Sequence, residues 1–135
     1  IAGAGTIGLE VIQEIPDLDA IIVPVGGAGL IAGISLAVKT LRPDVLVIGV
    51  EPENCPSLTM ALRTDHKLTL TEAGHPTVVN AVPTLADGLA VAEVGDISFK
   101  ICQKHVDHVV TVSEHYVALS VLRFVETVSY SLLTP

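Results

Sequence analysis

Apolar residues recur along this chain in two ways, as short unbroken β-branched runs and as stripes at helical spacing. Ala20–Val25 (AIIVPV) and Val45–Val50 (VLVIGV) carry no charge and read as strands buried on both faces, the kind found inside a parallel sheet. Val109–Val112 is a third run of this type. Between the first two, Leu30, Ile34, Val38 and Leu41 share one side of a helix that Arg42-Pro43-Asp44 stops. Ahead of them, Ile1–Ile15 reads as a helix with Ile7, Val11, Ile12 and Ile15 on its apolar face, Glu10, Gln13 and Glu14 outward, Thr6 as a cap, and Pro16 as its stop. Further on, a short helix is expected from Pro56 through Arg63, a helix over Asp96–Lys104, and a longer one from Ser113 through Phe124 and beyond. Thr64–Val79 is polar and turn-rich, a surface excursion. A strand, a helix and a second strand within about 30 residues make a βαβ unit. The pattern as a whole predicts an α/β fold, a parallel sheet with helices on both faces in three layers.

Composition narrows the classes of function. The 135 residues are 50% hydrophobic and 3% aromatic with a net charge of −8, so no basic stripe with interleaved aromatics is available for nucleic acid or an anionic membrane. The apolar runs are too short for a membrane span, and the first residues do not form a secretory signal. Cys55 and Cys102 lie in different elements without a CxxC spacing, which suits inert reduced thiols. A cytoplasmic setting is expected.

Chemistry concentrates where the first strand ends. Gly26, Gly27, Ala28 and Gly29 form a turn with few side chains, and a helix opens near Leu30. Successive N–H groups of such a turn can point into one concavity to which the helix adds its positive end, a cradle for a phosphate. No GxxxxGK followed by Ser or Thr is present, so any phosphate is held by backbone alone. A left-handed residue in this turn would cost Ala28 roughly 1 kcal/mol. A second glycine pattern, Gly3-Ala-Gly5-Thr-Ile-Gly8, spells GxGxxG without the preceding strand or the acidic residue that a dinucleotide site needs.

With these residues in view, VPVGGAGL resembles the phosphate loop of the fold-type II pyridoxal-phosphate enzymes, in the group of threonine dehydratase, serine dehydratase and serine racemase. The likeness runs from GAGTIGLEVI through VIGVEP and TLADGLA to VVTVSE, in the family's order, and fades after about Glu126. It implies that residues 1–128 are a partial cofactor-binding α/β domain from the family's large domain and 129–135 a tail unlike the family. Gly26, Gly27, Ala28, Gly29 and Leu30 would bind the cofactor phosphate. Gly88, and with it Asp87, would lie near the cofactor ring and substrate. Glu51, at the carboxyl end of a strand, matches a residue that in serine racemases helps bind a divalent cation, Mg or Ca. Ser57 stands where a second carboxylate would be expected there, and one carboxylate is a weak site for a hard cation. The residues themselves favour Glu51 as an acceptor of backbone hydrogen bonds in its loop.

Three further patterns carry no chemistry. Ser98-Phe99-Lys100 spells the letters around the family's Schiff-base lysine, but it follows the glycine loop where the family's lysine precedes it. None of Lys39, Lys67, Lys100 and Lys104 is expected opposite the loop, so no turnover is expected of this chain by itself. His105 and His108 lack a nearby set of Cys or carboxylate ligands, and His66 and His75 stand alone in the polar stretch.

The resemblance implies an amino-acid lyase, dependent on pyridoxal phosphate and acting on L-threonine or L-serine, or a serine racemase using the same cofactor chemistry. A non-catalytic α/β module binding phosphate or a nucleotide is the alternative. An exposed apolar sheet edge or helix face and a homo-oligomer are also expected.

Overall fold

The computed structural model describes residues 1–64, 78–80 and 82–133, with side chains through residue 127 apart from residue 64. The two uncharged β-branched runs become β1 (Ala20–Pro24) and β2 (Leu46–Pro52), and the third becomes β3 (His108–Val112). All three pair in parallel in the order β1-β2-β3, with Ile22 beside Ile48 and Val50 beside Val110. Helices α1 (Ala2–Glu14), α2 (Gly29–Leu41), α3 (Ser57–Thr64), α4 (Asp96–His105) and α5 (Glu114–Leu133) complete the architecture, together with a 3₁₀ turn at Asp87–Leu89. Residues 65–77, most of the expected polar excursion with His66, Lys67 and His75, lie outside the described residues.

The strands alternate. Val23, Val25, Val45 and Val47 are buried together with Ile31, Ile34 and Val38 of α2, Leu58 and Ala61 of α3, and Phe99 and Cys102 of α4, so one sheet face and three helices form a single core. Side chains on the opposite face are far more open, with Ile22 68%, Val110 48% and Leu46 42% exposed. On that side α5 passes the carboxyl ends of the strands, where Tyr116, Val117 and Val121 line a cavity with Pro24, Val50 and Val112. The sheet thus has helices on both faces, densely packed on one and confined to the strand ends on the other. This open surface is a sheet face where a sheet edge or helix face was expected; α5 also leaves Val121, Leu122, Phe124 and Val125 exposed.

The apolar face expected for α1 is used only in part: Ile12 packs against the core and Val11 is half-buried. Ile7 and Ile15 are 45% and 49% exposed, while Gly5 and Gly8 are buried against α2. A Cβ at Gly8 would lie 3.1 Å from the Ile34 carbonyl oxygen, and one at Gly5 3.2 Å from that of Gly33. The two helices touch backbone to backbone through small residues, so the large side chains flank the contact rather than fill it. The GxGxxG pattern therefore serves helix packing. Thr6 is not a cap either; its hydroxyl donates to the Gly3 carbonyl at 2.7 Å from within the helix.

Candidate cofactor-phosphate site

At the carboxyl end of β1 the chain must turn at once into α2, and Ala28 makes the turn in the left-handed conformation (φ 62°, ψ 7°). It is the only non-glycine residue with positive φ among those described. The expected backbone strain is thus present, at roughly 1–2 kcal/mol for a residue with a Cβ. The Ala28 carbonyl accepts the Ala32 N–H at 3.0 Å, which begins the α2 ladder. Gly29, Leu30 and Ile31 consequently have no N–H partner within the helix. No side chain caps this end and no acidic residue occupies its first turn. These free donors and the positive end of α2 form an electrostatic environment built for an anion.

Gly26, Gly27, Ala28, Gly29 and Leu30 line one cavity of about 210 Å³ with Gly88, and Pro24 and Leu89 complete its wall. Five of the cradle residues and Gly88 are thus brought together. Asp87 is not part of the lining; its carboxylate accepts the Gly88 N–H at 2.8 Å and holds its own turn. Pro24 and Leu89 carried no chemical signal in the sequence, because they shape the cavity by contact alone. The segment through Leu89–Val91 presses on the glycine loop: a Cβ at Gly26 would lie 3.2 Å from the Val91 side chain and 3.3 Å from Leu89. A side chain at 26 would have to push Val91 and the Leu89 backbone back by a few tenths of an ångström.

Glu51 is fully buried, and its carboxylate points at the start of α3. Leu58 N–H donates to Oε1 at 2.7 Å and Thr59 N–H to Oε2 at 2.9 Å. It acts as a remote cap, supplying negative charge to a helix N-terminus. The Ser57 hydroxyl is also engaged, donating to the Val91 carbonyl. The donor set that would hold Mg or Ca is committed to backbone partners, and no group of three or more His, Cys, Asp or Glu able to hold a metal ion occurs among the described residues. A divalent cation does not fit this arrangement. Cys55 and Cys102 are buried and free, and burial, helped by the charge of Glu51, pushes the Cys102 thiol up to about 12.

The uncapped start of α2 and the cavity before it suit a phosphate. Residues 1–131 match the pyridoxal-phosphate dependent enzymes. The chain belongs to this family. Over 126 residues it is 45% identical to L-threonine ammonia-lyase of Thermotoga maritima, covering 93% of this chain and 29% of that protein. It is 38% identical to the catabolic L-threonine dehydratase of Escherichia coli, covering 93% of this chain and 36% of that one. Among solved structures, threonine deaminase isoform 2 of Solanum lycopersicum superposes with a TM-score of 0.73 at 40% identity, over 82% of this chain and 30% of that one. Maize serine racemase superposes with a TM-score of 0.71 at 31% identity, over 84% and 32%. The chain spans between 20% and 36% of the length of the curated relatives it matches. No helix among the described residues is long and apolar enough to cross a membrane.

Proposed function

We propose that this chain carries the phosphate-holding part of the cofactor site in an ammonia-lyase dependent on pyridoxal phosphate and acting on L-threonine or L-serine. One observation carries the reading: left-handed Ala28 opens α2 with an uncapped N-terminus into a cavity whose far wall is Gly88 and Leu89. The likeness to threonine ammonia-lyases supports the substrate class. Gly26 to Leu30 donate backbone N–H groups to the phosphate, and the positive end of α2 offsets its charge. The Gly88-Leu89 step closes the cavity and limits where the rest of the cofactor can extend. When bound, pyridoxal phosphate supplies an electron sink for charge developed at the substrate Cα. A racemase acting on serine would use the same cradle in the same way, and the likeness to maize serine racemase favours it as the second reading.

Glu51 serves α3 rather than Mg or Ca in this reading, and Asp87 shapes the turn that presents Gly88. The open sheet face around Ile22 and Val110 makes self-association the expected state, readable by sedimentation velocity.

Equilibrium dialysis against pyridoxal phosphate, pyridoxal and NAD tests the site. Pyridoxal phosphate should bind at least about tenfold tighter than pyridoxal, a difference of ~1.4 kcal/mol, and NAD should not compete. Gly27→Asp should abolish binding by placing a carboxylate in the anion cradle. Equal binding of pyridoxal phosphate by that variant would overturn the cradle reading, and preferential binding of NAD would replace the proposal with the nucleotide-module reading.

A further inference from the structure

The Thr84–Leu89 strap is held from a distant part of the chain. Glu114, in the first turn of α5, accepts the Leu85 N–H on Oε2 at 2.8 Å across 29 residues of sequence. The Thr84 hydroxyl hydrogen-bonds to the same carboxylate, and Thr84 Oγ1 accepts the Ala86 N–H at 3.1 Å. From there the Ala86 carbonyl accepts the Leu89 N–H at 2.8 Å and the Asp87 carbonyl accepts the Ala90 N–H at 3.0 Å, so the turn delivering Gly88 and Leu89 is continuous with the point that Glu114 grips. Two residues beyond the strap, the Ser57 hydroxyl donates to the Val91 carbonyl.

Just ahead of the strap Asn54 Nδ2 donates to the Pro83 carbonyl at 2.7 Å, but among the described residues packing does not fill the space behind the strap itself. Between it and α5 lies a cavity of about 270 Å³ lined by Ala86, Leu89, Tyr116, Val117 and Val121 among others, space into which an unanchored strap can sink. Among the described residues, Glu114 Oε1 is enclosed by protein without a hydrogen-bond partner, a placement that is unfavourable in itself. The Thr84 hydroxyl first, and the Leu85 N–H with it, hold the Glu114 carboxyl below the usual carboxylate range.

We propose that Glu114 is a positioning residue for the cofactor-phosphate cavity: it fixes the strap, and the strap sets the distance between Gly88-Leu89 and the glycine loop. This rests on the loop being the phosphate site, as proposed above.

The test uses the full 135-residue chain and two probes, inorganic phosphate followed by amide NMR shifts of Gly27, Ala28 and Gly29, and pyridoxal phosphate followed by dialysis. Glu114→Ala should weaken both by roughly tenfold and speed hydrogen exchange at the Leu85 amide, whereas Glu114→Gln, whose amide oxygen still accepts both donors, should stay within about threefold of the parent. Thr84→Val, which removes one donor, should weaken both by about threefold and serves if Glu114→Ala does not fold. Unchanged affinity in Glu114→Ala, or in Thr84→Val where that variant is the one tested, overturns the positioning role and leaves the proposed function standing. Failure of Glu114→Gln to recover binding also overturns it, since charge rather than the two bonds would then be acting. If the parent chain binds neither probe, the reading of the loop falls, and the positioning role falls with it.

Discussion

Gly33 of α2 faces Gly5 of α1 so closely that a Cβ at position 33 would come within 2.7 Å of the Gly5 backbone nitrogen and 2.9 Å of the Ala4 Cβ. No rotamer relieves such a clash, because both partners are backbone or its first carbon. Gly33→Ala should therefore force α1 away from α2 and cost about 2–3 kcal/mol, within the range of overpacked cores. Gly3 in the same α1 offers the opposite case, since nothing lies within 4 Å of its added Cβ. Gly3→Ala should stabilise by roughly 0.5 kcal/mol through helix propensity. Urea midpoints that moved in the same direction for both variants would rule out this packing.

Removing the carboxylate of Glu51 leaves the Leu58 and Thr59 N–H groups without their acceptor at a fully buried helix start. Glu51→Ala should cost about 3 kcal/mol, because two charge-assisted bonds are lost and two donors are stranded. Glu51→Gln should cost less, since one amide oxygen still accepts. Because the carboxylate already serves backbone, millimolar Mg or Ca should leave the parent's thermal midpoint unchanged. A cation-induced rise that vanished in Glu51→Gln would restore the metal reading.

The charge-free runs VLVIGV and AIIVP were legible as parallel strands, but burial on both faces was expected and only one face is packed, since Ile22 and Leu46 are 68% and 42% exposed. The glycine loop was legible for a different reason: three glycines at a strand end leave the backbone little to do except turn tightly. The contact face of α1 was only partly legible: Ile12 packs as its periodicity predicts, but apolar periodicity weights large residues while this helix meets α2 through Gly5 and Gly8. Glu51 could be read as a loop acceptor, but its two donors lie seven and eight residues on, in a helix whose orientation depends on the fold. Leu89, Pro24 and Glu114 lie in the segments that carry the family likeness, but no chemical signal of their own set them apart. Their roles arise from placing the strap between the glycine loop and α5, a relation between segments distant in sequence.

Asp107 joins three elements. Its carboxylate accepts the Val47 N–H at 2.7 Å and pairs with Lys39 of α2 at 2.8 Å, both side chains being mostly shielded. Burial alone would raise the Asp107 pKa, but the Lys39 and Val47 hydrogen bonds outweigh it and hold it below the usual carboxylate value. A depressed folded pKa contributes stability that is present above the unfolded value, about 3.9, and is lost as pH falls through the folded value. Acid titration should thus show a stability loss beginning near pH 4 that is smaller in Asp107→Asn. Equal acid sensitivity of the two proteins would remove Asp107 from the account.

The lysines bear on whether this chain can anchor the cofactor covalently. A lysine nucleophile must be desolvated or set beside another cation so that its amine is free near neutrality. Lys39 sits in the last turn of α2, at the end opposite the glycine loop, and is neutralised by Asp107. Lys100 and Lys104 are exposed on α4, whose buried side carries Ser98, Phe99 and Cys102. The Ser98-Phe99-Lys100 letters therefore turn their lysine to solvent while the serine and phenylalanine pack inward. Borohydride reduction of the 135-residue chain with pyridoxal phosphate, followed by peptide mapping, should give no stoichiometric adduct on any single lysine, and serine should release no pyruvate. A one-to-one adduct on Lys100 that disappeared in Gly27→Asp would show that α4 can present this lysine to cofactor held in the cradle.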